Sequence, residues 1–270
     1  MSVVLMYHAL YRNEDTSLID DEDLPYAVSE ETFVAQLDAI ASKRVGVFGN
    51  ESVPDIVLTF DDGHKSNLDI AVPLMVERNL SGYFFITTDF MGKRPGFMVE
   101  QDLQTLANIP GMIVGSHGVT HQFFDDMTDP VAKQELLDSR DYLETITKQP
   151  CQSMSFPGGR YHSNTLKMMS DSGYVQWFGS DVGIVPSTCF SPDRLNSDEA
   201  EKALSRMLKM APLQRIAIRR TTQMDEFERM IGPDPRYYTS LRRRGFAKKL
   251  LRRALGNRLY HGLYKLLSAR

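Results

Sequence analysis

At 270 residues, 42% hydrophobic and 24% charged, the chain has the ordinary balance of a soluble globular protein and is long enough for one large domain or two small ones. Its two cysteines, Cys151 and Cys189, lie far apart and outside any CxxC pattern, which argues against a disulfide framework and against a zinc–thiolate site. The net charge of −4 is unevenly spread, because residues 236–270 hold 11 Lys and Arg and no Asp or Glu, leaving an acidic body with a basic tail.

The N-terminus, Met1-Ser-Val-Val-Leu-Met-Tyr-His8, has no basic segment, and its apolar run is too short for a secretory signal. It reads as a first strand over Val3–Tyr7, and the expected location is the cytoplasm. Arg12–Pro25 is acidic and turn-rich, a predicted exposed loop. A helix follows from Ser29 to about Ser42, with Ser29 and Thr32 as an imperfect capping box and Phe33, Leu37 and Ile40 as its apolar face. Ile56–Phe60 is a second buried strand, ending in Asp61-Asp62-Gly63, and a helix runs through Leu74–Arg78. Tyr83–Thr87 is a third strand, Val99–Leu106 a helix, and Met112–Gly115 a fourth strand ending at His117. Pro130–Ile146 is a long amphipathic helix, Ser153–Phe156 a strand ending at Pro157-Gly-Gly159, and Thr165–Ser172 a helix. Strands alternating with helices predict βαβ units and a parallel sheet, with the polar residues gathered just after the strands. In a β/α barrel those strand ends open on one face, where active sites are built.

Three motifs carry chemistry. Thr59-Phe-Asp-Asp-Gly63 sets two carboxylates at a strand end, where adjacent side chains diverge and take different jobs; read alone, it is also an ordinary turn with a capping Asp. Ser116-His-Gly-Val-Thr-His121 spaces His117 and His121 to share one face of a helical turn. With one carboxylate, two imidazoles make a three-ligand metal set that leaves a position open, as in catalytic rather than structural zinc sites. Ser155-Phe-Pro-Gly-Gly-Arg-Tyr161 is a strand followed by a turn whose backbone N–H groups suit an oxyanion. Trp177 is either a sugar-stacking platform or core, and His162 and His261 read as surface residues.

Taken in order, these motifs resemble the polysaccharide deacetylase family of carbohydrate esterases over roughly residues 1–220. Met6-Tyr-His8, Val28–Phe33, Leu58–Gly63, Ala71–Leu74, Phe84–Ile86, Gly115–His121, Phe156–Tyr161 and Gly173-Tyr174 stand in family order. The branch looked most similar to is that of bacterial exopolysaccharide, capsule and O-antigen biosynthesis. The resemblance implies a distorted β/α barrel with fewer than eight strands and a metal-dependent N-deacetylase acting on an amino sugar. Asp62, His117 and His121 would bind one divalent ion, with zinc the expected metal. Asp61 would be the general base toward the attacking water, and the N–H near Gly158 would hold the oxyanion. His64, Pro157, Gly159, Arg160 and Tyr161 would meet the substrate. Where many members carry an arginine that orients the base, this chain has Ser155, and Arg160 is the candidate in its place. The family's late Leu-x-His motif is not visible; that region reads Arg215-Ile-Ala-Ile-Arg-Arg220, which leaves His8 as the candidate general acid. Removal of a formyl or O-acetyl group, and a non-catalytic glycan-binding scaffold, are the rival readings.

The catalytic domain is expected over 1–223 and a basic C-terminal extension over 224–270. Within 242–267, leucines line one side of a helix and Lys and Arg the other. That pattern fits an anionic membrane surface or the protein's own acidic barrel; nucleic acid is not the expected partner. A cytoplasmic enzyme would then meet a carbohydrate, possibly lipid-linked, at the inner face of the membrane.

Overall fold

The computed structural model describes residues 1–46, 54–190, 211–232, 234, 236–243 and 245. Its strands are β1 (Val3–Tyr7), β2 (Leu10–Tyr11), β3 (Val28–Ser29), β4 (Ile56–Phe60), β5 (Gly82–Ile86), β6 (Met112–Ser116), β7 (Ser153–Ser155), β8 (Gln176–Phe178) and β9 (Ile216–Ala217). Seven of them form one parallel sheet in the order β8-β7-β6-β5-β4-β1-β9, and β2 pairs with β3 alongside. Leu213 bridges Phe178 at one edge, while Ile216 pairs with Leu5 in the strand next to the other. The segment feeding β9 thus touches both sides and curls the sheet into a distorted barrel.

Side chains alternate across each strand, and the two faces collect separate cores. Val3, Leu5, Ile56, Leu58, Phe60, Phe84, Met154 and Trp177 belong to the outer core under the helices. Val4, Val57, Tyr83, Phe85, Phe178 and Leu213 form a second, inner cluster. The helices are α1 (Glu30–Ile40), α2 (Val72–Glu77), α3 (Glu100–Ala107), α4 (Asp129–Thr147), α5 (Ser163–Asp171) and α6 (Met224–Ile231). Ser29 caps α1 as expected, its Oγ accepting from Thr32 N at 3.2 Å. The helix expected through Leu74–Arg78 starts earlier, with a widened turn over Asn67–Ala71 leading into α2. Pro73 lacks the N–H that would bond Asp69 in a regular helix, and Arg12 Nη2 reaches the Asp69 carbonyl at 3.5 Å instead.

The division expected at 223/224 falls inside the packed body. Phe227, Met230 and Ile231 of α6 join the outer core, and α6 packs on α1. Tyr238 is buried in the same core and donates to Met230 O at 2.5 Å. The stretch 246–270, with most of the basic amphipathic pattern, lies outside the described residues. Among the described residues no helix is long and apolar enough to cross a membrane.

Candidate active site and metal centre

The alternation that fills the barrel with Val57 carries Thr59 and then Asp61 to the same interior face, one layer higher. On β7 it does the same for Ser155, and two residues after Leu213 it does so for Arg215. These side chains meet. Arg215 Nη1 and Nη2 bind Asp61 Oδ1 and Oδ2 at 2.7 and 2.8 Å, a bidentate pair. The remaining donors reach Gly179 O from Nε at 2.7 Å, Thr59 Oγ1 at 3.1 Å and Ser155 Oγ at 2.7 Å. All five N–H donors of the guanidinium are matched, which is what a fully buried arginine needs. Ser155 Oγ donates in turn to Asp61 Oδ2 at 3.0 Å. Burial alone would push the Asp61 carboxyl up; Arg215, with His117 and His8, outweighs it and holds the group below the usual carboxylate range.

Asp62 leaves the strand in the left-handed region, at φ 77°, followed by Gly63 at 89°. This reversal turns the Asp62 carboxylate away from Arg215 and toward two histidines. His117 Nε2 lies 3.2 Å and His121 Nε2 3.1 Å from Asp62 Oδ1. His117 Nδ1 is 2.7 Å from the Ser155 carbonyl, which only accepts, so Nδ1 carries the proton and Nε2 presents its lone pair. The two histidines do not sit on a helical turn as their spacing predicts. They flank a bend, with His121 at φ 62° and Gly118 at 83°. Glu135 on α4 holds that bend, accepting from Val119 N at 2.7 Å, Thr120 N at 3.1 Å and Thr120 Oγ1 at 2.8 Å.

Asp62, His117 and His121 bring ligand atoms within 4.8 Å of one another. Asp62 Oδ1 is buried and makes no hydrogen bond of good geometry among the described residues, although two imidazole nitrogens stand beside it. Burial raises the Asp62 pKa, but the imidazoles outweigh this and hold it well below the usual range. Burial lowers that of His121, and Asp62 reverses the sign to a net rise. One carboxylate oxygen and two imidazole nitrogens converging on a point is a donor set that fits a divalent cation with open positions. The site opens into a cavity of about 600 Å³ lined also by His8, Asp23, Tyr26, Phe123, Gly158 and Arg219.

The comparisons with known proteins agree on a family. Residues 49–177 match the family model described as polysaccharide deacetylase. Over this stretch, just under half of the chain, the sequence is similar to polysaccharide deacetylases. The Bacillus subtilis protein YxkH is 26% identical over 128 residues, 47% of this chain and 45% of YxkH. A peptidoglycan-N-acetylglucosamine deacetylase of Bacillus cereus is 25% identical over 130 residues, 47% of this chain and 57% of its own. The chain thus matches about half the length of these curated relatives. Among solved structures, the Streptococcus pyogenes deacetylase PplD, in complex with acetate, superposes with a TM-score of 0.67 at 19% identity, covering 86% of this chain and 98% of that one. At that identity the likeness concerns the fold, the curled parallel barrel.

The cavity gathers some expected site residues and not others. Asp61, Asp62, His8, His117, His121 and Gly158 all line the cavity. His8 Nε2 is 3.9 Å from Asp62 Oδ2, its ring 4.7 Å from that of Tyr26, and burial lowers its pKa against the pull of Asp62. The five residues expected to meet substrate do not line the cavity. Pro157 is buried, and Tyr161 stacks on Phe156 at 5.0 Å beside a small separate pocket that Gly159 shares. Arg160 does not take the place of the base-orienting arginine. It pairs with Asp125 and Asp126, both at 2.8 Å, and covers Phe123. His64 is buried against Phe97. Trp177 is core, on the outer face of the sheet. The arginine that pairs with Asp61 is Arg215, from the segment singled out for lacking a histidine. The signal that could have found it is its place two residues from Leu213 and from Ala217, directly before the short strand β9.

Proposed function

We propose that this chain removes N-acetyl, or another small N-acyl group, from an amino sugar of a bacterial cell-envelope polysaccharide or its lipid-linked precursor. The observation that carries this reading is the split of two adjacent carboxylates, Asp61 to an arginine and Asp62 to a pair of histidines, at one cavity. Asp62, His117 and His121 are the proposed ligands of one divalent ion, with zinc suited to the imidazole-rich set. When bound, the ion supplies Lewis acidity, polarising an acyl carbonyl and acidifying water.

The chain's own groups supply the rest. Asp61 stays ionised and takes the proton of the attacking water. Its Oδ2 already accepts two hydrogen bonds and its Oδ1 only one, so Oδ1 keeps the acceptor position that water needs. Arg215 trades basicity for orientation, since it lowers the proton affinity of Asp61 while fixing its plane. The Gly158 backbone N–H, at the cavity wall, is the proposed donor to the developing oxyanion. His8, the cavity histidine outside the ligand set, is the proposed relay that hands the proton taken up by Asp61 to the departing amine. The products are a free amine and a carboxylate.

The substrate class rests on the relatives' names, which speak of polysaccharide and peptidoglycan. The charge pattern of 242–267 supports a peripheral contact with anionic lipid at the cytoplasmic face, where a lipid-linked saccharide would be met. The test is metal analysis of protein purified without chelator, together with acetate release from N-acetylated oligosaccharides. A protein that takes up no stoichiometric transition metal even after reconstitution ends the reading. Release of formate instead of acetate would keep the mechanism and change the acyl group.

A further inference from the structure

His64 has no part in this mechanism, yet its surroundings are built. Its ring is 1% exposed and stacks on Phe97 with centroids 4.3 Å apart. Its Nε2 stands 3.2 Å from Asp23 Oδ2, but makes no hydrogen bond of good geometry among the described residues. A buried ring nitrogen that faces a carboxylate without bonding it is placed to share a cation with it. Asp62 is the third group: Asp23, Asp62 and His64 also bring ligand atoms within 4.8 Å of one another. Asp62 Oδ1 faces His117 and His121, while its Oδ2 stands 3.9 Å from His8 Nε2, beyond hydrogen-bond distance, and is the oxygen that can serve this second set.

The backbone holds all three in place. Residues on both sides of His64 are tied to the segment opposite, Lys65 N to Gly96 O at 2.8 Å and Met98 N to Gly63 O at 3.0 Å. Asp23 opens a short turn closed by Tyr26 N to Asp23 O at 2.8 Å, and that turn is anchored by Arg220 N to Pro25 O at 3.0 Å. We propose that Asp23, Asp62 and His64 bind a second divalent cation beside the first, with the Asp62 carboxylate bridging the two. The inference rests on the functional reading above for the first ion only. Two carboxylates and one imidazole form a harder donor set than one carboxylate and two imidazoles. Asp23 is also partly open to solvent. The second ion therefore binds more weakly, by about tenfold or more.

The experiment is a titration of metal-free, full-length protein with cobalt(II), followed by calorimetry and visible absorption, with bound metal counted by elemental analysis. Wild-type protein is expected to take two equivalents, one tight and one weak. Asp23→Asn and His64→Gln are each expected to lose the weak event and keep the tight one, while His121→Ala loses the tight one. Asp23 lies in a surface turn, so its variant carries the test if His64→Gln does not fold. A single equivalent in wild-type protein at every cobalt concentration overturns the proposal and leaves His64 and Asp23 as a plain ion pair. Two equivalents persisting in the Asp23 variant overturn it as well. Loss of the tight event alone in wild-type protein, with the weak event still dependent on Asp23, would support the second site and end the functional reading.

Discussion

Two levels of the barrel interior, built by the same strands, differ in kind. The lower level is apolar: Val4, Val57, Tyr83, Phe85, Phe178 and Leu213 pack together, with Phe85 and Phe178 ring centroids 5.0 Å apart. One alternation higher, the same strands present Thr59, Ser155 and Arg215, and then Asp61. The Arg215 guanidinium lies over the rings below, 5.8 Å from Phe85 and 5.9 Å from Phe178. The floor excludes water and gives the cation a π surface. The polar level can then be dry only because every donor of Arg215 is matched. A buried carboxylate held this way is fixed in direction, which a catalytic base needs and a solvated one lacks.

The largest expected effect falls on the upper level. Asp61→Asn should cut deacetylation by about 10²–10⁴-fold while metal content persists, because a general base is lost and no ligand is. Asp62→Asn should lose both metal and activity. If the Asp61 variant loses metal as fully as the Asp62 variant, the two carboxylates do not divide the work. Arg215→Met should destabilise the fold by about 3–5 kcal/mol, since it leaves Asp61 as a buried charge without its partner. Phe85→Ala in the floor should cost a similar ~3–5 kcal/mol through the cavity it opens, and its bound metal should be unchanged. Denaturant unfolding beside metal analysis separates these cases: a floor variant that loses metal would show that the two levels are not distinct.

How much of this was legible depends on the range of the interactions involved. β1, β4, β5 and β6 are runs of five residues that bury both faces, and their apolar stretches announce them. β8 and β9 span three and two residues, too short for any periodicity to register. The proposed ligands Asp62, His117 and His121 come from motifs local in sequence, so spacing singled them out, although the histidines flank a bend and do not share a helical turn. Their convergence depends on left-handed φ at Asp62 and His121, and short-range pattern predicts no such angles for residues other than glycine. Arg215 meets Asp61 across 154 residues of chain, and nothing near either residue encodes the pair. Arg160, next to the Pro-Gly-Gly turn, was the nearer arginine in sequence; Asp125 and Asp126 claim it. Asp23 sits in a stretch that reads only as an acidic loop and Tyr26 directly follows it, yet both line the cavity.

A smaller effect should appear where the upper level meets the helices. Glu135 of α4 reaches no ligand; it accepts three hydrogen bonds from the bend between His117 and His121. Glu135→Ala removes all three, and metal affinity should fall by about 10–100-fold, the usual cost of losing support behind a ligand. A competition titration against a chelator of known affinity reads this directly. Unchanged affinity would mean that the bend keeps its shape without Glu135.

The finest comparison is between two serines on one strand. Ser153 and Ser155 lie on the same face of β7, since Met154 between them belongs to the outer core. Both are buried, and both hydroxyls are shielded from solvent. Ser153 Oγ has no hydrogen-bond partner among the described residues, so removing it discards an unpaid desolvation cost. Ser155 Oγ is bonded to both members of the ion pair, at 2.7 Å to Arg215 and 3.0 Å to Asp61. Removing that hydroxyl strips one donor from a buried carboxylate and one acceptor from a buried guanidinium. Hydrogen bonds to charged groups contribute about 1.5–3 kcal/mol each, and these two share one oxygen, so Ser155→Ala should cost about that much. Ser153→Ala should fall within about 0.5 kcal/mol of wild type, or stabilise. The same substitution on the same face, one alternation apart, holds strand propensity and side-chain volume constant. Equal losses in denaturant unfolding would mean that the polar level extends down to Ser153, and the boundary between the two levels would have to move.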